Sequence, residues 1–124
     1  MMRRIYFLRH GKAAPRSTWQ GDDVLRPLTP EGEALMRREA KGMRRLGLAP
    51  DVIVTSPLVR ARQTAEIAAE ALGARDRLVE DARLAHGFDG RCLERIAAER
   101  PEAAVLMVVG HEPEFSATIA ERKP

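Results

Sequence analysis

The stretch Arg3-Arg4-Ile5-Tyr6-Phe7-Leu8-Arg9-His10-Gly11 decides how this chain reads. Its first six residues form a short β-branched and aromatic run that gives way abruptly to Arg-His-Gly. Apolar residues at consecutive positions mark a strand covered on both faces. The same design recurs further along. Asp51-Val52-Ile53-Val54-Thr55 runs into Ser56-Pro57, and the apolar stretch from Ala104 to Val109 runs into Gly110-His111. Leu78-Val79 is a shorter candidate strand between them.

Between these runs the pattern is helical. Thr29 is a good N-cap, and Pro30 suits a first helical position. Met36, Ala40 and Met43 then recur at helical spacing, and Gly47 ends the segment behind Arg44 and Arg45. Ser56-Pro57 repeats the cap-plus-proline signal for a second helix with a buried stripe of Ala61, Ala65, Ala68 and Leu72, stopped by Gly73. Leu93 to Glu99 is expected as a third helix. Glu114 to Glu121, after Pro113, is expected as a fourth. Residues 13–28 show no periodicity and contain Pro15, Gly21 and Pro27, which predicts a long loop of the kind that carries function. Strands separated by helices require crossovers. The predicted fold is α/β, a three-layer αβα sandwich on a mostly parallel sheet, as one domain over residues 1–124.

Composition excludes several function classes. No apolar run approaches the ~20 residues of a membrane span. The N-terminal run is too short for a signal peptide and is closed by Arg9 and His10, so a cytoplasmic protein is expected. Net charge is +3, which suits an anionic substrate. Arg37, Arg38, Arg44 and Arg45 are interleaved with Glu33 and Glu39, as on a solvated helix face. Aromatics at 4% are too few for base stacking, which argues against a nucleic-acid partner. Cys92 is the single cysteine, so no intrachain disulfide is possible. A Cys-x5-Arg nucleophile loop would need arginine at position 98, which is Ala98. His10, His86 and His111 are the three histidines and lack metal-ligand spacing, so neither a metal nor a cofactor is expected.

In an open parallel sheet the carboxyl ends of the strands share one rim, where ligands bind. That topology brings together Arg9, His10, Ser56, Arg60, Gly110 and His111. Arginine presents a planar fork that holds two oxygens of a phosphoryl group. A neutral imidazole nitrogen can attack phosphorus, provided the other ring nitrogen donates to a fixed acceptor. Gly11 would permit a tight turn beside the substrate.

Arg9-His10-Gly11 directly after an N-terminal strand resembles the signature of the histidine phosphatase superfamily, whose fold is phosphoglycerate mutase-like. Ser56-Pro57-Leu58-Val59-Arg60-Ala61-Arg62-Gln63-Thr64 resembles its second motif, and Val109-Gly110-His111-Glu112-Pro113 its third. Leu25-Arg26-Pro27-Leu28-Thr29-Pro30-Glu31-Gly32 is similar to the segment before the first helix in the SixA-type branch, the phosphohistidine phosphatases. The resemblance implies His10 as nucleophile and phosphohistidine intermediate. It implies Arg9, Arg60 and His111 as catalytic clamps on the phosphoryl oxygens. Gly11, Arg26, Ser56 and Gly110 are then expected around the substrate. Ser56 is expected first as a helix cap. Gln63 and Thr64 are expected to pack and orient the helix.

The chain departs from the family pattern in two places. The glutamate expected after the third strand as general acid is replaced by Arg83 within Asp81-Ala82-Arg83-Leu84-Ala85-His86. Glu80, Asp81 and His86 are the nearby substitutes. A missing acid harms alkyl ester cleavage most, because an alkoxide leaves poorly. Phosphohistidine on a protein is therefore the expected substrate, with a small phosphorylated metabolite as the alternative. Gly73 is followed almost at once by Leu78-Val79, which leaves little room for a lid over a metabolite. The family's further C-terminal strand is also missing before Arg122-Lys123-Pro124. Those two departures also admit a phosphate-binding regulatory module without turnover.

Overall fold

A computed structural model describes residues 3–112 and 114–122; Met1, Met2, Pro113, Lys123 and Pro124 lie outside it. Four strands, β1 (Arg4–Arg9), β2 (Val52–Thr55), β3 (Leu78–Glu80) and β4 (Val105–Gly110), form one sheet in the order β1-β4-β2-β3. Every pairing between them is parallel. Four helices follow the strands in turn: α1 (Pro30–Arg45), α2 (Val59–Ala71), α3 (Gly90–Ala98) and α4 (Glu114–Arg122).

Strand alternation divides the core into two layers. Ile53, Met107 and Val109 face one side, with Tyr6 and Leu8, and meet Ala61, Ala65 and Ala68 of α2 and Met43 of α1. Val54, Leu106 and Val108 face the other side, with Ile5 and Phe7, and meet Leu93 and Ile96 of α3 and Phe115 of α4. Helices thus cover both faces, which makes the predicted αβα sandwich and explains why the strands read as continuously apolar. Arg3 ties the start of β1 to the end of α3 through the carbonyls of Ala97, Arg100 and Ala103.

Most local signals act as read. Thr29 Oγ1 accepts from the Gly32 amide at 2.9 Å, capping α1. Gly47 and Gly73 take left-handed φ values of +79° and +67° just past α1 and α2. Two helix starts differ from expectation. α3 begins at Gly90, before the predicted Leu93, because Asp89 accepts from the Cys92 amide and caps it. α2 begins at Val59 with Leu58 at the cap position and no side-chain cap bond. Ser56 is therefore not the cap of α2; its hydroxyl accepts from the Leu58 amide at 3.2 Å and is shared with His111.

Candidate active site

The strand register aligns four carboxyl ends. Arg9 pairs with Gly110 and Thr55 with Val109, while Thr55 also pairs with Glu80. The ladder continues one residue further, with His10 N–H donating to Gly110 O and Ser56 N–H to Val109 O. His10 and His111 consequently emerge side by side, with ring centroids 5.2 Å apart. A cavity of about 400 Å³ opens at this rim, lined by His10, Arg26, Arg60, His86 and His111 together with Asp23.

His10 Nδ1 lies 2.7 Å from the Gly11 carbonyl, which can only accept, so Nδ1 carries the proton and Nε2 the lone pair. Burial pushes the His10 pKa below its ordinary value. The Gly11 bond opposes that shift, and the charges of Arg60, Arg26 and Arg9 reinforce it. The imidazole is neutral, as a nucleophile requires.

His111 is 8% exposed. Burial first, then the charges of His10, Arg60 and His86, push its pKa down to about 4. Its Nε2 lies 2.8 Å from Ser56 Oγ. That hydroxyl is fully buried and already accepts from Leu58 N–H. Among the described residues the only acceptor for its proton is His111 Nε2. A buried donor needs a partner, so Ser56 donates and His111 carries its own proton on Nδ1, free to donate elsewhere.

Arg60, in the first turn of α2, is 4% exposed. Its Nη1 donates to Asp23 O at 2.9 Å and its Nη2 to Asp23 Oδ2 at 3.1 Å. Its Nε is buried without a partner among the described residues. Arg26, 7% exposed, donates from Nε to Asp23 Oδ1 and from Nη1 to Ala14 O. Two guanidiniums from distant segments thus converge beside the two histidines.

Four other expected site residues sit elsewhere. Arg9 is exposed and lines a neighbouring cavity with Gly11, Lys12 and Glu39, which His10 also borders. Gly11 has no left-handed φ, so conformational freedom is not what its position needs. The need is for space: a Cβ there would lie 2.9 Å from Met36 Cγ. Gly110 is likewise a packing position, where a Cβ would lie 2.7 Å from a Phe115 ring carbon. Ser56 reaches the site through His111.

The substitutes for the missing acid separate clearly. Arg83 forks onto Asp81 at 2.5 Å and onto Glu99 at 2.7 and 3.0 Å. The Arg83 guanidinium holds the Asp81 carboxyl below the usual carboxylate range. Glu80 is exposed and lies 3.4 Å from Arg62. Of the three, only His86 lines the cavity.

Sequence reasoning passed over Asp23 and gave Gln63 and Thr64 too small a role. Thr64 Oγ1 accepts from the Gly11 amide at 3.1 Å and donates to Arg60 O at 2.8 Å, pinning the nucleophile turn to α2. Gln63 Oε1 accepts from the Leu28 amide at 2.7 Å, pinning the end of the long loop. Asp23 left one local signal, an acid three residues before a buried arginine.

The chain is similar in sequence and in fold to several known proteins. An uncharacterized protein of Picosynechococcus sp. is 43% identical over 115 residues, covering 90% of this chain and 67% of that protein. The SixA structure from Agrobacterium tumefaciens superposes with a TM-score of 0.85 at 27% identity, over 98% of this chain and 77% of that one. The protein histidine phosphatase SixA complexed with tungstate gives 0.83 at 26% identity, over 94% and 74%. Among the described residues no helix is long and apolar enough to cross a membrane. The family model of the histidine phosphatase superfamily (branch 1) matches residues 5–105, and this chain, with its SixA-type fold, belongs to that superfamily.

Proposed function

We propose that the protein is a metal-independent phosphohydrolase that works through a phosphohistidine at His10 and acts on phosphohistidine carried by a protein. The observation that carries this reading is the fixed tautomer of His10, with Nδ1–H held by Gly11 O and the Nε2 lone pair free beside two buried arginines. His10 Nε2 attacks phosphorus, the bond to the leaving group breaks, and the leaving nitrogen takes up a proton from solvent water. Water then attacks the phosphoryl-His10, releasing inorganic phosphate and restoring the imidazole. Arg60, Arg26 and the Nδ1–H of His111 hold the phosphoryl oxygens as charge redistributes. Arg9, exposed on the other flank of His10, lines the neighbouring cavity and adds positive charge beside the nucleophile.

The substrate class follows from the leaving group. The carboxylates of the β3–α3 connection are withdrawn, Asp81 into the Arg83 fork and Glu80 onto the surface beside Arg62. An alkoxide would depart without help from that side, whereas an imidazole nitrogen leaves readily. The likeness to SixA structures supports the same class.

Rapid acid-free quench of the protein with a phosphodonor is expected to trap a base-stable, acid-labile phosphate on wild-type protein and none on His10→Ala. Equal turnover by both would overturn the chemistry. A clear preference for sugar phosphates over a phosphohistidine protein would overturn the substrate class alone. Turnover is expected to persist in excess chelator.

A further inference from the structure

Asp23 belongs to the long loop before α1, yet it makes more contacts with the proposed phosphoryl clamp than any other acidic residue. Its Oδ2 lies 3.1 Å from Arg60 Nη2, its Oδ1 lies 2.9 Å from Arg26 Nε, and its backbone carbonyl accepts from Arg60 Nη1 at 2.9 Å. One residue thus bridges two guanidiniums that are each more than nine-tenths buried. Without it, two like charges would face one another.

A carboxylate in an anion site can act in two opposite ways. It can stand in for the substrate and be displaced, or it can hold the arginines for the substrate. Displacement needs a loop that can leave. This loop is fastened along its length. Ala13 and Leu28 form an antiparallel bridge, with Ala14 N–H donating to Pro27 O. The Leu28 amide is held by Gln63, and the Trp19 indole donates to Asp22 O at 3.0 Å. Asp22 caps the turn that Asp23 opens, and the Arg26 amide closes it onto Asp23 O.

Holding also leaves the right groups free. Arg60 has five N–H donors. Asp23 takes one from each terminal nitrogen, and each of those nitrogens keeps another. The fifth, on Nε, is buried with no partner among the described residues. Arg60 lines the cavity with His10 and His111, so its remaining terminal donors can meet an anion there.

We infer that Asp23 is a positioning residue: it fixes the Arg60 and Arg26 guanidiniums side by side so that their remaining donors meet one oxyanion. This rests on the proposed phosphoryl site, but its test does not need turnover. Asp23→Ala should weaken tungstate binding at least about tenfold, the scale of losing charge-assisted hydrogen bonds. Asp23→Asn should fall between, since an amide oxygen can serve one arginine while its NH2 opposes the other. Trp19, the single tryptophan and part of the same loop, gives a fluorescence readout, with calorimetry as the second. Asp23 is 44% exposed at its side chain, so water can enter where its carboxylate is removed and screen the two guanidiniums, and both variants should melt within a few degrees of wild type.

Unchanged or tighter tungstate binding by the variants would overturn the proposal, since it would make the carboxylate a competitor. Weaker binding that tracks a lowered Tm in both variants would overturn it in favour of general packing. Wild-type protein that binds no tungstate would overturn both this inference and the proposed function. Ordered loss of binding from wild type to Asn to Ala, with no phosphodonor hydrolysed, would uphold Asp23 and sink only the hydrolase reading.

Discussion

At the scale of single residues, the site is a set of assigned protons. Gly11 O sets His10, and the Ser56 hydroxyl sets His111. Ser56→Ala removes the donor that keeps the His111 proton on Nδ1 and leaves Nε2 buried without a partner. A fall of about tenfold in kcat/KM is expected, together with a Tm lowered by several degrees, because an unsatisfied buried group costs about 1–3 kcal/mol. Steady-state kinetics on the phosphodonor test this, and an unchanged kcat/KM would refute the tautomer assignment. The same burial links the histidines to stability. Unfolded histidine takes its proton near 6.5, but His111 in the fold takes one only at about 4. Between those values the unfolded chain binds more protons, so stability rises with pH. It is full above about 6.5 and is lost progressively as pH falls toward 4. His10, also depressed, adds in the same direction. Melting curves from pH 4 to 7 should show this slope, and His111→Asn should flatten it. The nucleophile and both motif arginines were visible in the sequence because each stands next to a strand or helix signal. Asp23 was hidden because its second partner, Arg60, lies 37 residues away. The fork of Arg83 was hidden for the same reason, since Glu99 lies 16 residues on.

At the scale of elements, glycine separates positions that need space from positions that do not. Gly32, in the first turn of α1, lies so close to the Lys12 carbonyl that a Cβ would sit 2.2 Å from its oxygen. Gly42, later in the same helix, has nothing within 4 Å of its would-be Cβ. Gly42→Ala should therefore stabilise the protein by about 0.5–1 kcal/mol through helix propensity. Gly32→Ala should destabilise it by about 1–3 kcal/mol, as overpacking does, and push the segment behind His10 out of place. Denaturant titrations of the two variants should move in opposite directions. The four strands and four helices were legible because each carries an apolar run or stripe with a stop residue. The start of α2 was not. Ser56-Pro57 has the chemistry of a cap, but the hydroxyl is claimed by His111, which arrives from β4.

At the scale of the whole molecule, the order β1-β4-β2-β3 was not in the sequence, since nothing local says that the last strand inserts between the first two. That insertion makes the site. It sets the nucleophile strand against the strand of His111, and on the other flank it sets β4 against β2, which leads into Ser56 and Arg60. Among the described residues it also leaves β1 at one end of the sheet order, with exposed Arg4 and Arg9 at the strand's two ends. The bond from His10 N–H to Gly110 O has a further consequence. The nucleophile is hung on the last rung of the sheet, so its backbone cannot breathe independently of the core. Its amide should exchange with solvent deuterium about as slowly as those of the central strands, and far more slowly than the amides of the loop that follows. That outcome would tie the loss of the nucleophile's position to the opening of the sheet.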